Sequence, residues 1–178
     1  MSQKARLITA VTVGSEFHFN TFQLSDGSLV NVKIVDTGGQ EIYRSLSHQY
    51  YRDADGCLLV YDITDRKSFD EIKGYFSEQI KEKCKKDVKI ILLGNKTDLE
   101  EDRRVTPKEG VNLAVKEGYN FMETSCLENR NVADSFETLI ELTYEQVFKR
   151  IKENISEKLP ITIKEASNSS SLKKRKCC

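Results

Sequence analysis

The sharpest chemical signal in this sequence is the tetrapeptide 95–98, Asn-Lys-Thr-Asp, which directly follows an apolar run. Guanine offers two adjacent donors, N1–H and the 2-amino group, and one carboxylate can accept both. Adenine lacks that pair, so a fixed aspartate discriminates between the bases by leaving a buried acceptor unpaired. The carboxyl end of a strand is also where an α/β sheet binds ligands. The segment therefore indicates guanine recognition by Asp98.

A second candidate for chemistry is the segment 36–41, Asp-Thr-Gly-Gly-Gln-Glu. A carboxylate there can hold a magnesium ion through water. A glycine amide can approach a terminal phosphate closely because glycine has no Cβ. A glutamine that follows can orient an attacking water. Taken alone, the segment is also compatible with an acidic, glycine-rich turn that performs no chemistry.

The elements that must position these segments are strands and helices in alternation. Strands are predicted at 17–24 and 29–35, joined by an Asp-Gly turn. Short, continuous apolar runs at 56–62 and 88–94 are typical of parallel strands covered on both faces. A weaker run at 119–123 predicts a further strand.

Helix starts are readable from capping residues. Ser68 with Glu71 forms a capping-box pattern, and Thr106 precedes Pro107 and Glu109. A last helix is predicted from about Val132 to Ile151 by its apolar spacing. The alternation predicts an α/β domain with a mostly parallel sheet and an antiparallel edge hairpin.

Composition excludes several classes of protein. The 178 residues carry a formal net charge of zero, so no global field favours nucleic acid as a partner. Hydrophobic residues at 38% and charged residues at 31% suit a soluble cytosolic protein. The five cysteines follow no metal-ligand spacing. A metabolic enzyme of doubly wound fold is poorly supported, because no further acid–base or nucleophile constellation is visible.

Several segments together resemble the Rab family of small GTPases, within the Ras superfamily. The segment 36–41 resembles switch II, with Gly38 where the family usually has alanine, and 95–98 is similar to the guanine-specificity motif. The segment 123–127, Glu-Thr-Ser-Cys-Leu, resembles the third base-contacting loop. Rab signature segments are matched, in order, by 13–17, 41–44, 50–54 and 59–64, and the resemblance runs from about Thr9 to the last residue.

The resemblance implies roles for residues at the phosphate end of a site for GTP or GDP with Mg²⁺. Thr12 would be the switch I threonine that reaches the metal and the γ-phosphate, and Asp36 would hold a water of the metal. Gly39 would contact the γ-phosphate, and Gln40 would orient the attacking water.

At the base end, the resemblance implies that Asn95 and Lys96 frame the guanine while Asp98 reads its N1 and amino edge. Ser125, Cys126 and Leu127 would form the third loop, in which the Cys126 amide meets guanine O6. Leu127 stands where the family usually has a lysine, so the guanine ring would lose its stacking contact with a charged side chain.

One part of the family pattern is absent from the sequence. A phosphate-binding loop needs Gly-x-x-x-x-Gly-Lys-Ser/Thr, yet no glycine in this chain is followed by lysine. In the family that loop joins the first strand to the first helix, so both would lie before Met1 and be missing from this sequence. The segment 6–13 is a candidate to take the place of that strand. Very weak triphosphate binding follows, and whether this chain hydrolyses GTP stays open.

Two explanations of that absence compete. In the first, the sequence is a truncated gene model or an isoform of a Rab protein, with or without activity. Alternatively, it is a nucleotide-free or weakly binding pseudo-GTPase that acts as a binding module. The joint presence of Thr12, Gln40 and Asp98 favours the first explanation, since a scaffold has no physical need for them.

The end of the sequence predicts a lipid anchor. We expect the GTPase-like domain to occupy 1–152, followed by a flexible tail at 153–178 that carries a basic run at 173–176. The final Cys177 and Cys178 resemble the double-geranylgeranyl signal of Rab proteins and not a C-a-a-X box.

The family resemblance also implies a place of action and a set of partners. It implies vesicle trafficking on the cytoplasmic face of an organelle membrane, with cycling through the cytosol. The implied partners are effectors, exchange and GTPase-activating factors, a prenylation escort and a GDP-dissociation inhibitor.

Overall fold

The computed structural model describes the backbone of residues 4–10, 15–37 and 51–158, and the side chains of 18–36 and 51–153. The predictions made for Thr12, Gly39, Gln40, Cys177 and Cys178 lie outside the described residues.

Six strands form one mixed sheet in the order β2-β3-β1-β4-β5-β6. Among the described strands, only the pair β2 and β3, at one edge, is antiparallel. This confirms a mixed α/β fold with an antiparallel edge hairpin. The strands are β1 (Lys4–Ala10), β2 (Ser15–Gln23), β3 (Leu29–Thr37), β4 (Gly56–Asp62), β5 (Lys89–Asn95) and β6 (Asn120–Glu123).

The centre of the sheet is occupied by β1. We expected the family's first strand to be missing from the sequence, with 6–13 as a possible substitute, and β1, which overlaps that segment, lies between β3 and β4 and runs parallel to both. Leu7 is paired with Ile34 on one side and with Gly56 on the other. Without a strand here, β3 and β4 would each present a row of unpaired backbone groups in the middle of the sheet, which is costly. The segment fills the strand position but supplies no phosphate-binding lysine.

The helical segments alternate with the strands, as the sequence predicts. The last helix continues seven residues beyond its predicted end. The segments are α1 (Arg66–Glu71), a π-helical turn (Ile72–Phe76), α2 (Ser77–Lys83), a 3₁₀ segment (Thr97–Asp102), α3 (Pro107–Glu117) and α4 (Val132–Lys158). Within the described ranges, none of them combines the length and apolarity needed to cross a membrane.

One predicted helix start is confirmed and the other is wrong. Thr106 caps α3 in a complete capping box with Glu109. For α1 the cap is Asp65, whose side chain accepts the Lys67 N–H at 2.9 Å. The helix therefore begins before Ser68, whose hydroxyl instead donates to the Asp65 carbonyl at 2.7 Å.

Alternating residues of β4 face two separate cores. Cys57, Leu59 and Tyr61 pack under α1, α2 and α3, whereas Leu58 packs under α4 with Leu139. Both faces are therefore covered, which explains why the central strands read as continuous apolar runs. Because both faces are covered, polar side chains lie instead at the carboxyl ends of the parallel strands.

Candidate functional site

A cavity of about 530 Å³ opens where the parallel strands end. Asp62 ends β4, Asn95 ends β5, and Thr124 directly follows β6. All three line the cavity, together with Lys96. Its apolar floor consists of Leu58, Val60, Leu93, Val132 and Phe136. The site thus combines an apolar floor with polar groups at the ends of the strands.

The segment after β5 is joined to the loop after β6 by three hydrogen bonds. Buried Thr97 donates both its backbone N–H and its hydroxyl to the Thr124 carbonyl, each at 3.1 Å. Thr124 in turn donates its hydroxyl to Asn95 Oδ1 at 3.2 Å. The two loops therefore behave as one unit although they are far apart in sequence.

The carboxylate of Asp98 is oriented by that second loop. Ser125, which is fully buried, donates its hydroxyl to Asp98 Oδ1 at 2.5 Å. The Glu128 N–H donates to the same serine oxygen at 3.1 Å. This chain of bonds fixes the direction of the Asp98 carboxylate, as a group that reads a base edge requires.

The loop after β6 is closed by its own backbone. Ser125 and Arg130 exchange N–H···O bonds of 3.1 and 2.9 Å. Cys126 is exposed and lines the cavity, while the Leu127 side chain is 83% exposed. The structure therefore places Cys126 in the lining of the cavity, whereas Ser125 is buried outside that lining and Leu127 is turned to solvent.

Lys96 occupies an unusual backbone conformation and is already paired. Its φ of 70° lies in the left-handed region. Its ammonium lies 2.6 Å from the Asp62 carboxylate, which also accepts the N–H and hydroxyl of Thr64 at 2.8 and 2.7 Å. Burial acts to raise the pKa of Asp62, but these hydrogen bonds outweigh it and leave that pKa below its usual value. The ammonium of Lys96, a residue expected to frame the guanine, is thus bound to Asp62 at the end of β4.

Asp36 reaches the same cavity from β3 and is half-buried. In the described part of the chain, no group of three or more acidic, histidine or cysteine side chains could hold a metal ion. Thr12, expected to be the second metal residue, lies outside the described residues. Asp36 is therefore the one expected metal residue that the structure places.

Two residues at or beside the site were missed by the sequence reasoning. Asp62 is a carboxylate at the end of an apolar run, the same signal that singled out Asp36, and could have been found by it. Arg103 contacts Glu100 and Glu123. These partners come from two different elements, so no local sequence pattern predicts that Arg103 contacts both of them.

Comparison with known proteins agrees with this geometry. The sequence model of the Ras family matches residues 4–145. The Ras-related protein Rab2BV of Beta vulgaris is 38% identical over 94% of this chain and 79% of its own length. Rab-8 of Diplobatis ommata is 38% identical over 92% of this chain and 77% of its own length, and human Rab-8B is 43% identical over 72% and 61%. This chain therefore belongs to the Ras family and, within it, to the Rab-type small GTPases.

Proposed function

We propose that the chain recognises guanine nucleotides through Asp98 and serves as a Rab-like switch in intracellular vesicle trafficking. The observation that carries the proposal is the oriented Asp98 carboxylate, which accepts the Ser125 hydroxyl at 2.5 Å. Asp98 itself is not part of the cavity lining, but Lys96 and Cys126, on the two segments that this bond joins, line the cavity. Family membership supports the same reading, since proteins of this family bind GTP and GDP with Mg²⁺.

The residues at the base end fit a guanine. Asp98 would accept the N1–H and the 2-amino group, because a carboxylate is an acceptor-only group with two oxygens. The Cys126 N–H would donate to guanine O6, while Asn95 and the stem of Lys96 would frame the ring. Leu127 stands where the family resemblance implies a lysine, and its solvent-exposed side chain would leave the base without that contact.

The residues at the phosphate end fit less well. Asp36 would hold Mg²⁺ through water, and that ion, when bound, neutralises charge on the terminal phosphates. Thr12, Gly39 and Gln40 would act on the γ-phosphate and the attacking water, as the resemblance implies. Asp36, Asp62 and Asp65 line the cavity, which disfavours phosphate, and the sequence has no phosphate-binding loop. Most of the affinity should therefore come from the base.

A second candidate function is a binding module that does not depend on nucleotide. It is favoured by the ion pair at 2.6 Å between Lys96 and Asp62, because that pair satisfies the lysine without any ligand. The chain would then engage the protein partners of a Rab through its surface alone.

We propose the same division of the chain as the sequence predicts, with a domain at 1–152 and a lipid-anchored tail. Cys177 and Cys178 would carry the prenyl groups, and the basic run before them would add attraction to an anionic leaflet. Effectors, exchange and GTPase-activating factors, a prenylation escort and a GDP-dissociation inhibitor would be the partners, at an organelle membrane. This part rests on the family resemblance.

Titration with labelled GDP, GTP and ATP in the presence of Mg²⁺ tests the proposal. Asp98→Ala should weaken GDP binding by about 10–100-fold, the loss expected for hydrogen bonds to a charged group. Asp102→Ala is the matched control, since Asp102 is an exposed aspartate at the end of the same 3₁₀ segment. A preference for ATP, or equal losses in the two variants, would contradict guanine recognition. No binding of any nucleotide at millimolar concentration would favour the binding module.

A further inference from the structure

Arg103 lies just beyond the 3₁₀ segment and is among the most enclosed cations of the described side chains, with 12% of its side chain exposed. Its guanidinium contacts two carboxylates. Nε and Nη2 donate to the two oxygens of Glu100 at 2.8 and 2.6 Å. Nη1 and Nη2 donate to the two oxygens of Glu123 at 2.7 and 3.2 Å. Both contacts are bidentate.

The two glutamates belong to the two segments that carry the candidate base-reading groups. Glu100 is two residues after Asp98 in the 3₁₀ segment. Glu123 ends β6 and directly precedes Thr124 and Ser125. The guanidinium therefore spans the gap between these segments, and its Nη1 also donates to the Val105 carbonyl at 3.0 Å.

We propose that Arg103 is a positioning residue for guanine selectivity, because it sets the distance between the Asp98 carboxylate and the loop that carries Ser125 and Cys126. This inference rests on the proposed recognition of guanine by that site. A guanidinium is planar and presents its donors in a fixed fork, so two bidentate contacts fix both the separation and the angle of their carboxylates.

Selectivity depends on that separation because both edges of the base must be met at once. Asp98 would accept from N1–H and the amino group while the Cys126 N–H donates to O6. In catalytic sites a displacement of about 1 Å can lower the reaction rate on the order of 100-fold. We expect hydrogen bonds to a base to depend on position in the same way. Arg103 does not line the cavity, so any effect it has on the ligand passes through the two segments.

The first test measures hydrogen exchange in the nucleotide-free protein. In Arg103→Gln, the amides of Thr97, Ser125 and Glu128 should exchange about tenfold faster, the size expected when charge-assisted hydrogen bonds are lost. Amides in the middle of β4 and β5 should keep their wild-type rates. Unchanged protection at the three site amides, or equal acceleration throughout the sheet, would overturn the inference.

Two further variants separate geometry from charge. Arg150→Gln is the matched control, because Arg150 also bridges two carboxylates, Asp55 and Asp87. These aspartates precede β4 and β5, at the opposite ends of the strands from the candidate site. This variant should leave the three site amides unchanged. Arg103→Lys keeps the charge without the fork and should exchange nearly as fast as the glutamine variant. Full rescue by lysine would overturn a geometric role.

The second test compares the affinities for GDP and inosine diphosphate, which lacks the 2-amino group. The ratio should fall by about tenfold in Arg103→Gln and remain unchanged in Arg150→Gln, since only misplacement of Asp98 loses discrimination at that group. An unchanged ratio in Arg103→Gln would overturn the inference. If no protein binds either nucleotide, the proposed function fails, and the exchange measurement alone then decides the role of Arg103.

Discussion

At the scale of single residues, Lys96 shows strain concentrated at the candidate site. A left-handed backbone costs an L residue about 1–2 kcal/mol, and an ion pair as exposed as that of Lys96 with Asp62 returns about 0–1 kcal/mol. Glycine would relieve this strain, yet the chain places a lysine here. Strained residues of this kind cluster at functional sites, which supports a role for the Lys96 side chain at the cavity rim.

The strain predicts an unusual order of stabilities. Lys96→Gly should be more stable than Lys96→Ala by about 1 kcal/mol, because only glycine adopts the left-handed conformation at no steric cost. Asn112, exposed in the middle of α3, is the control position, where the alanine variant should be the more stable by about 0.5–1 kcal/mol. Urea unfolding of the four variants measures both differences. The same order at the two positions would rule out backbone strain at Lys96.

At the scale of elements, the start of α3 is held by a small charged network. The Glu109 carboxylate accepts the Thr106 N–H at 3.0 Å and lies against the Arg66 guanidinium. The hydrogen bond from Arg66, helped by those from Thr106, lowers the pKa of Glu109 to about 2. The network thereby ties α1 to the first turn of α3.

That lowered pKa predicts acid sensitivity. Because the folded state holds the Glu109 carboxylate ionised, its contribution to stability is complete above the unfolded pKa. The contribution should be lost as the pH falls from about 4.5 toward 2, where the folded group is protonated. Unfolding followed by circular dichroism across this range should show a smaller pH dependence in Glu109→Gln than in the wild type. Identical pH profiles would exclude the network as a source of acid sensitivity.

The same elements show how far sequence reasoning reaches. Thr106 and Ser68 both begin a capping-box pattern, but Asp65 lies three residues before Ser68 and caps its helix first. The segment 95–98 was readable because its chemistry is local, whereas the partners of Arg103 come from separate elements. The sequence allowed 6–13 to replace the family's first strand, but the pairing of β1 with both β3 and β4 involves distant segments and is seen only in the assembled sheet.

At the scale of the whole molecule, the candidate site and the proposed anchor are carried by different parts of the chain. The polar groups lie where β3, β4, β5 and β6 end, while the proposed tail at 153–178 begins in the last turns of the 27-residue helix α4. A lipid anchor on that tail would hold the domain at a membrane without occupying the cavity.

Replacing Cys177 and Cys178 by serine should abolish membrane attachment in the native cells, because a basic run alone gives only weak binding. Intact-mass measurement of the wild type should show the mass of two isoprenoid chains. Cys126→Ser is the control, since it removes an exposed thiol of the folded domain and should leave the membrane fraction unchanged. A wild-type protein without added mass would refute the anchor.

The central position of β1 has a consequence for how the protein behaves in concentrated solution. β1 joins the hairpin β2–β3 to the strands β4, β5 and β6, and it pairs with β3 along all seven of its residues. If it detached, two inner strand edges would open together, and open edges are templates for pairing with other chains. Fusions or cleavages at the start of the chain should therefore increase aggregation, and a formal net charge of zero supplies no overall repulsion to oppose it.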